Sequence, residues 1–423
     1  MEIDADLHLH GLHSGGVSDR MEVPVIAEQA AVKGLDLVGT GDCLNPAWRD
    51  HVQEHTEKQG NGILRSEEGT DFLLTAEVED KDRIHHVLLF PSFGAAADVY
   101  DVFERVSSDI DDEGRPRLDM GGERIAQICE RHDVLVGPAH AFTPWTAIYK
   151  EFDSLQGCYG NSVDVLSFLE LGLSADSGMA DRKQEHHDLT YVSFSDAHSP
   201  WPHRLGREFT RFEVQEVSFR EVRKALHRTD GRGPALNVGL DPREGKYHCT
   251  ACIDCEQKYT LQQARERDWT CAECGKQVKK GVSDRVAELA DTDKRPGHRP
   301  DYLRVFPLPE IIRVVVGHAS PTTKTVQRIY DAYQEEFASE IDILTGADID
   351  DVKAVNTEVG RAVELFRQDG IVMVPGGGGA YGEMVIPADQ DEKERIAEQR
   401  AAELACRYDG TQTRRAGDGS LAD

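Results

Sequence analysis

Three histidines fall within six positions near the start of the chain, in ADLHLHGLHS (residues 5–14). Successive side chains of a β-strand point to opposite faces. Asp6, His8 and His10 are therefore expected on one face, with Leu7 and Leu9 on the other. Two neutral imidazoles on one face can grip a divalent cation. Residues of the same chemical kinds border the other apolar runs. Asp42 ends LDLVGTGD, Glu77 and Glu79 share a face of DFLLTAEVE, and His85 opens HHVLLF. His140 ends DVLVGPAH, and Asp196 and His198 repeat the alternate spacing in SDAH. One such residue at a strand edge is ordinary polar trim. Six stations that converge make a mixed nitrogen and oxygen donor set, suited to zinc, manganese or iron more than to an all-oxygen magnesium site.

A second donor set is local. Cys252 and Cys255 form one C-x2-C pair and Cys271 and Cys274 another, with fifteen residues between the pairs. That spacing is expected of a closed, tetrahedral zinc ribbon. Cys249 has the same spacing from Cys252 and is read as a spectator. The scattered Cys43, Cys129, Cys158 and Cys406 are read as buried free thiols. Lys276, Lys279, Lys280 and Arg285 make a locally basic patch beside the ribbon, of the kind that contacts a DNA backbone. PGGGGAYG (375–382) lacks the Lys-Ser/Thr of a phosphate-binding loop, so it reads as a turn or a close backbone approach.

The elements that must position these residues alternate between β and α over residues 1–240. Helical patterns at 24–34 and 122–132 separate apolar runs at 35–42, 71–79, 85–90, 133–140, 164–172 and 189–198. Because almost every run ends in His, Asp or Glu, a barrel with functional side chains at its strand ends is expected. The chain then divides into a ribbon at 241–285, a helical domain at 286–387 with its best helices at 323–337 and 350–368, and a charged helix with a disordered tail at 388–423. No apolar run approaches a membrane span, and no basic-then-apolar leader precedes the first strand, so a cytoplasmic location is expected. The 423 residues carry a net charge of −29, spread along the chain, with arginine ahead of lysine. Such a surface suits a salt-loaded, halophilic cytoplasm, where repulsion is screened within a few Å. There the charge does not exclude DNA, since releasing counterions into concentrated salt gains little.

DLHLH, GTGD, AEVE, PAH and FSDAHSP resemble the PHP phosphoesterase superfamily. GTGDCLNPAW, IHHVLLFPSF, PAHAFTPW, SDAHSPWPHRLGRE, the four-cysteine insert, KKGVSDR and PGGGGAYG are similar, in order, to the endonuclease Q family within it. The resemblance spans residues 1–387. It implies an α/β fold: a distorted (β/α)7 PHP barrel with a zinc-ribbon insert and a C-terminal helical domain. Carried onto this sequence, it implies metal ligation by His8, His10, Asp42, Glu77, His85, His140, Asp196 and His198. Glu79 and Asp19 are weaker candidates. Asp42 stands where the wider superfamily has the histidine of TDH, and Asn45 stands where a histidine is expected. His85 is preferred over His86 on strand register, and Asp6 is read as orienting an imidazole.

Two or three divalent metals (zinc, manganese or magnesium) would activate a water and hold the phosphodiester in line, beside one structural zinc in the ribbon. Glu77 would bridge metals, Asp196 would ligate and orient the nucleophile, and His140 would stand with them at the chemistry. Arg204 and Arg207 are expected at phosphate oxygens. Lys279 and Lys280 are expected at the DNA backbone, and Trp145, Trp48 and Tyr381 as pocket walls or stacking rings. The implied activity is metal-dependent DNA repair endonuclease cleavage 5′ to deaminated bases (uracil, hypoxanthine, xanthine) or abasic sites, the damaged nucleotide being flipped out. A monomer acting on damaged DNA, open to replication or repair partners, is expected. The alternatives are a PHP phosphatase of a small phosphate monoester and a non-catalytic DNA-binding protein.

Overall fold

A computed structural model describes residues 1–404. Cys406 and the expected tail lie outside the described residues. β1 (Glu2–Asp6) pairs in parallel with β2 (Leu37–Gly39). A hairpin of β3 (Thr56–Lys58) and β4 (Ile63–Ser66) leads to β5 (Asp71–Glu79), which joins β2 in parallel. β6 (His85–Phe90) runs antiparallel to both β5 and β7 (Leu135–Pro138). The Ser167 N–H donates to Val136 O at 2.9 Å, carrying the ring on to β8 (Leu169–Glu170) and its parallel partner β9 (Tyr191–Val192). The ring closes where Leu9 bridges Ala197 and the His10 N–H donates to Ala197 O at 3.0 Å. The barrel strands are therefore β1, β2, β5, β6, β7, β8 and β9, and the reversed β6 is its main distortion. β10 (Phe209–Glu213) and β11 (Gly233–Gly239) extend the sheet from β1.

Alternation along the strands sorts two cores. On β6, Val87 and Leu89 join Ala5, Leu37, Leu73, Leu135, Phe168 and Phe194 inside the barrel, and the helix Phe219–His227 plugs one end with Phe219, Val222 and Leu226. Leu88 and Phe90 face outward, against the surrounding helices. The helix Val23–Lys33 shows why these segments are helical. Pro24 opens it without losing a hydrogen bond, Ile26, Ala27 and Ala30 are buried, and Gly34 ends it at φ 95°. Two runs read as long strands are mostly not strands. Residues 160–165 form a 3-10 turn, leaving Leu169–Glu170, and the run at 189–198 keeps only Tyr191–Val192. The two pair with each other, and Asp196 and His198, at the end of the second run, lie in the loop beyond its strand.

The ribbon holds β12 (Ala251–Cys252) antiparallel to β13 (Val278–Lys279). After it, β14 (Asp301–Arg304) adds in parallel to β11, so the start of the domain expected to be helical joins the barrel sheet. The helical pattern at 350–368 is two helices, Ile349–Val355 and Thr357–Arg367. Asn356 breaks it by accepting the Val359 N–H at 3.1 Å and capping the second. The C-terminal helices dock on the barrel through buried Glu340. Its carboxylate takes Lys33 Nζ at 2.7 Å, the Leu308 N–H at 2.9 Å and the Tyr330 hydroxyl at 2.9 Å. The glycine run lies between β15 (Val372–Val374) and β16 (Glu383–Val385) and packs on the ribbon backbone. The Cys249 N–H donates to Gly376 O at 3.0 Å, and a Cβ on Gly378 (φ 65°) would sit 2.2 Å from Cys252 O. Close approach to the chain itself is thus what these glycines serve. Among the described residues, no helix is long and apolar enough to cross a membrane.

Candidate metal centre

Strict alternation does not run from Asp6 to His10. β1 stops at Asp6, Leu7 packs inside the barrel and Leu9 outside it. Asp6 turns away from the imidazoles and accepts the Ser195 N–H at 2.9 Å and the Gly206 N–H at 3.0 Å. Burial pushes its carboxyl up to about 6. It ties β1 to the segment carrying Asp196, so its expected role of orienting an imidazole is corrected.

Glu77 is the hub. Its Oε1 lies 2.8 Å from His85 Nδ1, 3.1 Å from His140 Nε2 and 3.4 Å from His8 Nε2. Its Oε2 lies 3.4 Å from His10 Nε2 and 3.2 Å from Arg115 Nη1. Asp196 Oδ1 stands 3.2 Å from His10 Nε2 and 3.8 Å from His8 Nε2, and the His198 ring centroid is 4.5 Å from that of His10.

Each inward imidazole is held from behind. His8 Nδ1 is 2.9 Å from Glu170 Oε1, His10 Nδ1 is 3.1 Å from Asp42 Oδ1, His85 Nε2 is 3.2 Å from Glu79 Oε2, and His140 Nδ1 is 3.1 Å from Thr143 Oγ1. A partner on one ring nitrogen fixes the ring and leaves the other nitrogen as a donor to a metal. Asp42 is therefore placed behind His10, not among the inward donors. Its other oxygen is taken by the Gly11 N–H at 2.6 Å and the Ser14 hydroxyl at 2.8 Å. Three site residues, Asp42 (φ 48°), His140 (φ 29°) and Asp196 (φ 48°), have left-handed backbone, which turns strand ends sharply into the site.

Four of the inward atoms lack hydrogen-bond partners, whereas His140 Nε2 meets Glu77 Oε1 at 3.1 Å. His8 Nε2, His10 Nε2, His85 Nδ1 and Asp196 Oδ1 are buried and unsatisfied. Each such atom costs about 1–3 kcal/mol, and four aimed at one place fit divalent cations. Burial opposes charge on Glu77, but His85 and His8 outweigh it and hold the carboxyl well below the usual range. Asp196 is depressed in the same way, burial being outweighed by His10 and His8.

Of the other expected site residues, His86 points away from Glu77, while Asp19 and His13 are exposed. Asn45 caps the helix Pro46–Glu54 by accepting the Trp48 N–H at 3.0 Å, so it stands outside the donor group. Trp48 is a core residue, its indole N–H donating to Gly41 O at 2.9 Å; the reading as a pocket wall is corrected. Arg207 Nε donates to Ser195 O at 3.0 Å beside Asp196, and Arg204 is exposed. Trp145 is 57% exposed with Lys279 Nζ 3.2 Å above its ring, and Tyr381 is 61% exposed beneath Lys246. Lys280 is paired with Glu288 at 2.7 Å. Beside His140, a cavity of about 360 Å3 is lined by Phe142, Thr143, Pro144, Tyr149, Lys279 and Arg285, among others.

Three site residues escaped the sequence reading: Thr143 behind His140, Glu170 and Arg115. Glu170 ends an apolar run, the same signal as the other stations; its Oε2 also accepts the His140 N–H at 2.8 Å. Arg115 sits in the loop DEGRPR and carried no signal. It reaches Glu77 because a loop with Gly114, where a Cβ would be 2.5 Å from Asp42 Oδ2, closes over the site.

In the ribbon, Cys252, Cys255, Cys271 and Cys274 bring their sulfurs within 4.8 Å of one another. Tyr259 donates to Cys271 Sγ at 3.1 Å and draws that thiol down to about 6, favouring a thiolate. Cys249 stands outside this group, in a disulfide.

Known proteins place this architecture. The crystal structure of the lesion-specific endonuclease PfuEndoQ from Pyrococcus furiosus is 49% identical, with a TM-score of 0.89 over 92% of this chain and 96% of that one. The chain belongs to the endonuclease Q family. A structure of endonuclease Q with a 27-mer duplex bearing an abasic lesion at its active site is also 49% identical, with a TM-score of 0.87 over 92% and 97% of the two chains. Residues 307–370 match a family profile described as the MJ0043 C-terminal domain. The protein MJ0043 of Methanocaldococcus jannaschii is 43% identical over 251 residues, 58% of this chain, and the chain spans 31% of that protein's length. YqxK of Bacillus subtilis is 29% identical over 409 residues, 90% of this chain and 99% of that protein. The endonuclease Q likeness thus covers barrel, ribbon and helical domain together.

Proposed function

We propose that the chain is a metal-dependent, lesion-specific DNA repair endonuclease that hydrolyses the phosphodiester 5′ to a deaminated base or an abasic site. One observation carries this: four imidazoles, each pinned on its outer nitrogen, aim their inner nitrogens at one buried carboxylate in a chain of the endonuclease Q family. His8, His10, Glu77, His85, His140, Asp196 and His198 would hold the metals, with Asp42, Glu79, Glu170 and Thr143 orienting the rings. Bound divalent cations supply an acidified water and neutralise charge on the attacking and leaving oxygens.

The remaining work falls to the chain. Glu77 offers one oxygen to the His8–His85–His140 side and the other to His10, so it would hold divalent metal together with both groups of imidazoles. Asp196, depressed and fully ionised near neutral pH, orients the nucleophile from the His10 side. Arg115 and Arg207 flank this carboxylate pair and would hold the non-bridging phosphate oxygens. The cavity beside His140 would take the flipped residue, with Trp145 and Lys279 at its rim and Tyr381 and Lys246 farther along the ribbon. Unstacking a lesion costs less than unstacking a paired base, which favours damaged sites.

The test is a duplex carrying one deoxyuridine or abasic site, incubated in high salt with Mg²⁺ or Mn²⁺. A single nick 5′ to the lesion is expected, with the undamaged duplex intact. Turnover of a small phosphate monoester without nicking would overturn this reading in favour of a phosphatase.

A further inference from the structure

We propose that Asp80, His86 and Cys158 form a second structural metal site, for one zinc ion, on the outer face of β6 and back to back with the catalytic centre. The adjacent histidines of β6 face opposite ways. His85 turns in to Glu77, whereas His86 is fully buried on the other side with Nδ1 2.7 Å from the Tyr159 hydroxyl. Its Nε2 lies 3.3 Å from Asp80 Oδ2, and both atoms are buried without a hydrogen-bond partner. That distance is long for a charge-assisted hydrogen bond, which runs about 2.7–2.9 Å. It matches two ligands on one tetrahedral zinc, whose bonds of about 2.0–2.1 Å put them about 3.3 Å apart.

Cys158 supplies the third donor, all three atoms lying within 4.8 Å of one another. The site is built on every side. Asp80 Oδ1 accepts the Asp82 and Ile84 N–H groups, both at 2.8 Å, which fixes Oδ2 toward the imidazole. A Cβ on Gly122 would sit 2.6 Å from Cys158 Sγ and 3.0 Å from His86 Cε1, so the glycine lets the helix Gly122–Arg131 begin against the site. The Gly122 backbone N–H favours the ionised sulfur, although burial outweighs it.

Charge closes the argument. A neutral imidazole, a carboxylate and a thiolate sum to −2, which one divalent cation cancels. Without one, burial and the neighbouring Asp80 and Asp82 push the Cys158 thiol up. Thiolate with imidazole selects zinc over magnesium or manganese. A water would complete the tetrahedron, since Cys158 is 8% exposed. The ion would pin the turn after β5 to the helices Gly122–Arg131 and Leu155–Tyr159, and so hold the hairpin that carries Glu77, Glu79 and His85.

The experiment loads full-length protein with Co²⁺ and compares wild type with Cys158→Ser. The proposal expects one fewer bound ion per chain and a thiolate-to-cobalt absorption reduced by one sulfur in five. An unchanged ion count and spectrum would overturn it. Zinc-edge anomalous diffraction of the wild-type protein gives a readout that does not depend on the variant folding. A peak among Asp80, His86 and Cys158, apart from the ribbon ion, supports the site. A map with the ribbon peak and none here refutes it, leaving a hydrogen-bonded Asp80–His86–Tyr159 chain.

Discussion

The barrel centre and the ribbon solve the same problem, holding a cation, in opposite ways. The ribbon draws its four sulfurs from residues 252–274, whereas the barrel centre spans His8 to His198. Around the ribbon cysteines the core is small: Cys252, Ala264, Cys271 and Val278, with Tyr259 and Trp269 against them. So little apolar surface cannot order the segment alone, and a metal held by its four sulfurs would be part of its folding energy. In the barrel, the interior core and the carboxylates behind the imidazoles position the donors. Metal held there would serve chemistry. Chelation should therefore stop nicking while the barrel stays folded, and should loosen the ribbon only under harsher stripping.

The comparison can be broken first at the barrel. Asp196→Asn is expected to lower nicking of a deoxyuridine duplex by on the order of 10³-fold while mobility-shift binding persists. An active variant would remove Asp196 from the chemistry. Cys271→Ser should release one zinc per chain, open the ribbon to protease and leave barrel unfolding unchanged; zinc content that stays constant would locate the ion elsewhere. Glu170→Gln should cost about 10–100-fold in metal affinity or rate, the usual price of an orienting partner. A smaller loss would mean that the barrel core alone aims His8. Arg115→Ala should cost roughly tenfold in kcat/KM, equivalent to one charge-assisted hydrogen bond of about 1.5 kcal/mol, with metal content unchanged.

The mildest effect on activity, and the sharpest in pH, concerns buried Glu208, just before β10. Burial pushes its carboxyl up to about 8, with nearby Arg207 opposing. The folded state keeps this proton while the unfolded chain loses it above its ordinary pKa. Stability contributed here is thus full at low pH and falls as pH rises through that window, by about 1.4 kcal/mol per unit. Glu208→Gln should raise Tm relative to wild type at pH 8 and make little difference at pH 5. Equal shifts at both values would mean that Glu208 is ionised in the fold.

Legibility followed the range of the interactions. DFLLTAEVE and HHVLLF form β5 and β6 with the bounds read from their patterns, because both are long and buried on both faces. The short β8 and β9 were overread, since apolar runs there continue into buried loops. The inward histidines and carboxylates could be named because each borders an apolar run. Their division into inward donors and outer supports could not. Asp42 and Glu79 share chemistry with Asp196 and Glu77, and only packing decides which side of an imidazole each one meets.

The sequence by itself determined which chemical groups are available, that four cysteines at ribbon spacing act together, and that strand ends carry the remaining donors. Those are local facts of spacing and type. Tertiary structure alone decided that β1 breaks after Asp6, that Glu170 and Arg115 belong to the centre, and that His85 and His86 serve opposite faces of one strand. The physical reason is that barrel closure joins residues far apart in the chain, and no local pattern records which nitrogen of a ring will find a carboxylate behind it.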